Sequence, residues 1–171
     1  MKQPILLKTI LDICFILLAF SFLGAVIFFT LTLTQGESFF PITVNGNVLT
    51  EFTPITIILV SAELIIGGLI LYTVFILRKL VRNFLKGKLF TRFQIATLNM
   101  VGQLIILITI AQGIIDFLGK ILIDSTAGSN LGVKFSFGSF WFILAIGLFF
   151  IYLSKIFKNA KDLKEENELT V

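Results

Sequence analysis

A chain of 171 residues that is 57% apolar, with a mean hydropathy of +1.02, exceeds the roughly 45–50% apolar share of a water-soluble domain, so water alone is not its solvent. With no histidine and a single cysteine, Cys14, it lacks the usual general base, the commonest metal ligand, a disulfide framework and any paired-thiol zinc or redox motif. The net charge of +4 is no nucleic-acid signature here, because in an apolar chain the side on which the basic residues fall matters more than their sum.

The first apolar run, residues 10–33, reaches roughly 36 Å at about 1.5 Å per residue and outspans a hydrocarbon core of about 30 Å. A secretory signal would have a shorter apolar centre and a small-residue cleavage site. Neither is evident between Leu31 and Glu37, so the run reads as a retained span. Asp12 follows Lys8 by one turn, the spacing of a local ion pair. The outer loop 34–53 contains FFPITVNGNVLTEF, two β-branched and apolar stretches around an Asn45-Gly46 turn signal, which predicts a hairpin.

The second span, 54–77, starts at Pro54, suited to a first helical turn, and ends where Arg78 and Lys79 mark the interface. Glu63 then lies about 13 Å into the membrane at roughly 1.5 Å per residue. An ionised residue at such depth costs roughly 2.5–3.5 kcal/mol, which predicts that Glu63 is protonated, hydrogen-bonded or turned to a wet cavity inside the bundle. Counted from the outer end of the third span, Gln112 falls within about one turn of the same depth and is the best partner, with Ser21 next. Glu63, Gln112 and Ser21 thus form the candidate intramembrane polar site. Its bland reading is helix packing, supported by Gly67, Gly68, Gly24 and Gly147 at similar depths; its sharper reading is proton or ion handling.

The inner connector, 78–97, lies in LRKLVRNFLKGKLFTRFQIATLN, a stretch without an acidic residue. Leu77, Leu80, Val81 and Phe84 share a helical face, while Arg78, Lys79, Arg82, Lys86, Lys88 and Arg92 reach toward water, lipid phosphate or a partner. Gly87 suits a left-handed helix stop. Thr91 suits an N-cap, with Gln94 completing a capping box and Phe90 and Ile95 a hydrophobic staple.

The third span, 98–118, carries Gln112 and Asp116, the latter one turn from Lys120 and so expected to pair locally. In the outer loop 119–137, Val133, Phe135 and Phe137 alternate with Lys134 and Ser136 at the period of a strand with one buried face. Joined to the hairpin, that strand would make a small antiparallel β cap; the alternative is polar loops, which the approach through Gly128, Ser129, Asn130 and Gly132 favours. The fourth span, 138–154, places Trp141 and Tyr152 as interfacial anchors and is stopped by Lys155 and Lys158. The tail KNAKDLKEENELTV balances lysines with acids and reads as a short solvated helix or a frayed end rather than a nucleic-acid arm.

Twelve of the fourteen basic residues fall in the first segment, the inner connector and the tail, against Lys120 and Lys134 in the outer loops. The positive-inside bias therefore sets the connector and both ends of the chain in the cytoplasm. The expected fold is an all-α integral membrane protein: one domain over 1–171 with four transmembrane helices and the small antiparallel β cap outside.

The basic helix end, then Gly87-Lys88, then Phe90-Thr91 and a new helix leading to Met100-Val101-Gly102, resembles the bacterial membrane family catalogued as domain of unknown function 2975. That resemblance implies a small bacterial plasma-membrane protein, often encoded beside a small helix-turn-helix transcriptional regulator, and transfers no catalytic residue. No Gly-rich phosphate loop, metal-ligand cluster or nucleophile-and-base pattern accompanies the acids, so no catalytic, cofactor or metal site is expected. The reading that follows is a noncatalytic multi-pass membrane protein supporting a signalling or transcriptional-regulatory partner. A small transporter or channel component using Glu63 is the alternative, and a membrane enzyme is disfavoured. The partners expected are the lipid bilayer and either a cytoplasmic regulatory protein or a second copy of the chain, without direct nucleic-acid binding.

Overall fold

In hydrocarbon an unpaired backbone N–H or C=O costs several kcal/mol, so each apolar run folds as a helix that satisfies its own backbone. The computed structural model describes residues 3–35, 42–44, 47–49, 54–84, 91–127 and 137–169. Four helices run over Gln3–Gln35 (α1), Pro54–Phe84 (α2), Arg92–Ala127 (α3) and Phe137–Leu169 (α4). All four are long and apolar enough to cross a membrane, the arrangement of a multi-pass membrane protein. Large apolar side chains such as Phe20, Ile58, Ile65 and Phe142 stand exposed along them, a surface suited to lipid and costly in water.

The helices outrun the apolar stretches expected from the sequence. Helix α2 continues through Arg78, Lys79 and Arg82 to Phe84, and α4 continues past Ser154 to Leu169. The start of α3 shows why a new helix begins there. Thr91 Oγ1 accepts from the Gln94 backbone N–H at 3.3 Å, and Gln94 Oε1 accepts from the Thr91 N–H at 3.1 Å, the reciprocal capping box read from the spacing. Gly87 and Phe90, read as the preceding stop and half of the staple, lie outside the described residues.

Between α1 and α2 the strands Ile42–Val44 (β1) and Asn47–Leu49 (β2) pair antiparallel, Val44 opposite Asn47 and Ile42 opposite Leu49. That register suits a two-residue turn, and the Asn45-Gly46 turn itself lies outside the described residues. The three-stranded cap is not supported. Among the described residues the sheet has only β1 and β2, and Phe137, expected to close a third strand, is the first residue of α4. The alternation at Val133–Phe137 is short and runs into a long apolar stretch, and there helix formation takes Phe137; residues 133–136 lie outside the described residues.

Each helix packs on the next in the chain, most extensively α3 on α4. Gly102 and Gly147 make that closeness possible: a Cβ placed on Gly102 would lie 2.6 Å from the Gly147 carbonyl oxygen and 2.9 Å from the Ile151 nitrogen. Ser154 ties the same seam by donating its hydroxyl to the Ile95 carbonyl at 2.8 Å. Leu59 and Ile66 of α2 meet Ile115 of α3 in a buried core, with Ala62, Ile108 and Ala111 against it. Helix α1 is the least enclosed; among its described side chains Thr32 alone is buried. Its Phe22 ring fills the space over Gly67 and Gly68. Gly24, grouped with these glycines on depth alone, has nothing within 4 Å of where a Cβ would sit. It is therefore not a packing glycine, because equal depth does not fix which way a residue faces.

Candidate functional site

Glu63 follows Leu59 by four residues and precedes Ile66 by three, so the α2 face that builds the core also turns Glu63 toward α3. Gln112 stands in the same relation to Ile108 and Ile115 on α3. The two meet: Gln112 Nε2 donates to Glu63 Oε1 at 3.0 Å, and the same amide nitrogen donates to Asp116 Oδ1 at 3.3 Å. One amide with two hydrogens thereby serves two carboxyl groups, in a setting where a lone carboxyl would be costly. On its other flank Glu63 lines a cavity of about 350 Å³ between α1 and α2, with Ser21, Phe22, Phe28, Phe29 and Gly67 among its walls.

Two of the three expected residues are thus hydrogen-bonded, and the third, Ser21, shares the cavity with Glu63. Asp116 was missed as a member. Its local pairing with Lys120 looked sufficient, yet its carboxylate accepts from Gln112, one turn away on the same face; the i,i+4 spacing of Gln112 and Asp116 was the available signal. The Lys120 side chain lies outside what is described. Chemically, the cluster offers carboxyl oxygens and an amide beside an apolar vestibule.

At the inner end the basic residues divide. Arg78 Nε is ion-paired with Asp12 Oδ1, Arg82 Nη2 lies 3.8 Å from the same oxygen, and the Arg78 guanidinium sits 5.2 Å from the centroid of the Phe15 ring. Asp12 therefore pairs across helices to α2 rather than locally with Lys8. Arginine's planar fork holds a carboxylate and stacks on a ring at once, and the inter-helix geometry provides both partners. Lys79 Nζ lies 5.6 Å from the centroid of the Phe93 ring. Arg82 and Arg92 are exposed, whereas Lys86 and Lys88 lie outside the described residues.

The Asp12–Arg78 pair is a structural clamp between α1 and α2, and its side chains are 27% and 25% exposed. A double-mutant cycle with Asp12→Asn and Arg78→Gln, read by denaturant unfolding in micelles, should give a coupling of about 1 kcal/mol, near the top of the range for partly exposed pairs. Coupling indistinguishable from zero would remove the clamp.

No curated protein and no solved structure matches the chain. A family described as a protein of unknown function (DUF2975) matches residues 46–171. The matched segment carries Glu63, Gln112, Asp116, the inner connector and the Gly102–Gly147 seam, while Ser21 and Asp12 on α1 precede it. With the greater part of its length inside that match, the chain belongs to the DUF2975 family.

Proposed function

We propose that this protein is a noncatalytic multi-pass component of the bacterial plasma membrane whose inner face supports a signalling or transcriptional-regulatory partner. In this reading the connector and the α4 extension lie in the cytoplasm and the β1–β2 hairpin outside, as the siding of lysine and arginine favours. The observation that carries the reading is the α4 extension. Beyond Ser154 the helix continues to Leu169, about 22 Å at roughly 1.5 Å per residue. It is braced by Lys161–Glu165 at 2.9 Å and Lys164–Glu168 at 3.7 Å. Ile156 and Leu163, two turns apart on one face, are 43% and 62% exposed. Exposed apolar residues repeating on one helical face among charges are what a groove on a partner protein reads, and the Phe84–Phe157 edge contact at 5.8 Å ties the extension's root to the end of α2.

Two measurements test it. In a Cys14→Ser background, single cysteines replacing Asn45 and Asn130 should react with an impermeant reagent in intact cells, and one replacing Lys86 should not; the reverse pattern overturns the orientation. Crosslinking in native membranes from a photoreactive residue at Leu163 should trap a cytoplasmic protein, and the adduct should vanish when Ile156 is changed to Ser. If the adduct is unchanged, or only lipid is trapped, docking through α4 is wrong.

The cavity beside Glu63 favours a second reading, a small transporter or channel component that uses Glu63. A proteoliposome flux abolished by Glu63→Gln would support it in place of the docking role.

A further inference from the structure

Helix α3 begins and α4 leaves its apolar stretch at the same end of the bundle, joined there by the Ser154–Ile95 hydrogen bond. Between them opens a groove of about 560 Å³ whose rim carries Arg92, Lys155, Lys158 and Lys161 and whose floor includes Asn99 and Ser154. Two acids also line it, Asp162 and Glu165. Lys161 is already matched, its ammonium 2.9 Å from Glu165. Among the described residues Arg92, Lys155 and Lys158 form no ion pair within 4 Å, although Arg92 acts on the Glu165 carboxylate from farther off, and the Asn99 amide forms no side-chain hydrogen bond. With Asp162 set against one of the three cations, the groove keeps an excess of positive charge beside an uncommitted amide. Its walls also include Ile95 and Ala96, and Phe93 and Met100, the chain neighbours of Arg92 and Asn99 on α3, expose apolar surface.

The position is as telling as the charge. Lys155 directly follows the apolar stretch of α4, and Arg92 opens α3 less than two turns before its apolar stretch begins at residue 98, so the groove stands where phosphates meet acyl chains. A basic pocket between helices at that level suits an acidic lipid headgroup, while guanidinium and ammonium groups suit phosphate oxygens. A free phosphate would use the cations and leave the adjoining apolar surface unused; a phospholipid uses both.

We propose that this groove is a binding site for the phosphate headgroup of an anionic phospholipid of the adjoining leaflet, held by Arg92, Lys155 and Lys158 with its chains along the exposed apolar faces of α3 and α4. The test is native mass spectrometry of the full chain in detergent, titrated with phosphatidylglycerol, phosphatidylcholine or inorganic phosphate. Phosphatidylglycerol should bind in preference to phosphatidylcholine. Lys158→Gln, at an exposed position with little bearing on folding, should weaken phosphatidylglycerol binding about fivefold, and the triple change Arg92→Gln, Lys155→Gln, Lys158→Gln by more than about tenfold. Lys164→Gln, on the same helix but paired with Glu168, should leave it unchanged. Equal binding of the two lipids, wild-type binding by Lys158→Gln, or an equal loss in Lys164→Gln would overturn the site. Displacement of phosphatidylglycerol by millimolar inorganic phosphate would overturn the lipid as its occupant.

Discussion

Changing Gly102 to alanine should destabilise the bundle by about 1–3 kcal/mol, the usual cost of forcing extra volume into a packed interface. The added methyl meets backbone on the neighbouring helix, the Gly147 oxygen at 2.6 Å and the Ile151 nitrogen at 2.9 Å, and backbone of an apolar helix cannot step aside as a side-chain tip can. The whole α3–α4 seam has to open. Gly147→Ala should cost less. Its nearest obstacle is a side-chain atom, Ile106 Cγ1 at 2.7 Å, while the Gly102 oxygen is 3.1 Å away. Gly24→Ala meets nothing within 4 Å and should be neutral, or stabilising by up to about 1 kcal/mol through helix propensity. Unfolding in micelles of matched lipid content ranks the three. If Gly102→Ala proves as harmless as Gly24→Ala, the close crossing of α3 and α4 is wrong.

The second large effect is expected at Glu63. Glu63→Gln keeps an oxygen to accept from Gln112 and should fold and accumulate near the wild-type level. Glu63→Lys removes that acceptor, sets a donor against the Gln112 donor, and puts a cation at a depth that costs roughly 2.5–3.5 kcal/mol. Membrane-inserted, monodisperse protein should fall by about tenfold or more. Asp116 moderates the loss, because its carboxylate shares the Gln112 amide with Glu63 and lies within reach of a relaxed lysine. Glu63→Lys combined with Asp116→Asn should therefore be worse than Glu63→Lys alone. Normal accumulation of Glu63→Lys together with unfolding of Glu63→Gln would rule out the hydrogen-bonded packing account.

What the sequence made legible was whatever can be counted along one dimension. Run length located the four helices, depth below Pro54 brought Glu63 to the level of Gln112, and the Thr91–Gln94 spacing placed the start of α3. What it hid was direction around the helix axis. Helix α1 is apolar on every side, so nothing in its pattern said that Asp12 would turn to Arg78 or that Gly24 would face open space. Gly102 drew notice only within a family-like motif, because a glycine in contact and a glycine in lipid look alike until the opposing helix is known. Asp116 was hidden by Lys120, a basic residue at the same four-residue spacing as Gln112. The third strand failed for a different reason: five alternating residues were weighed without the helical stretch that follows and absorbs Phe137.

The succession of contacts, each helix resting mainly on its successor, bears on how the protein is made. A helix leaving the insertion machinery finds a neighbour in the one that emerged just before it and, for α2 and α3, gains its larger contact when the next arrives, so lateral assembly can keep pace with synthesis and no segment waits across an intervening helix for its mate. Helices inserted independently and then associated by local contacts avoid the slow search that distant pairings impose. Helix α1, which precedes the other three, has the least to lose by standing alone in lipid, and it gains its ion pair to Arg78 when the far end of α2 arrives.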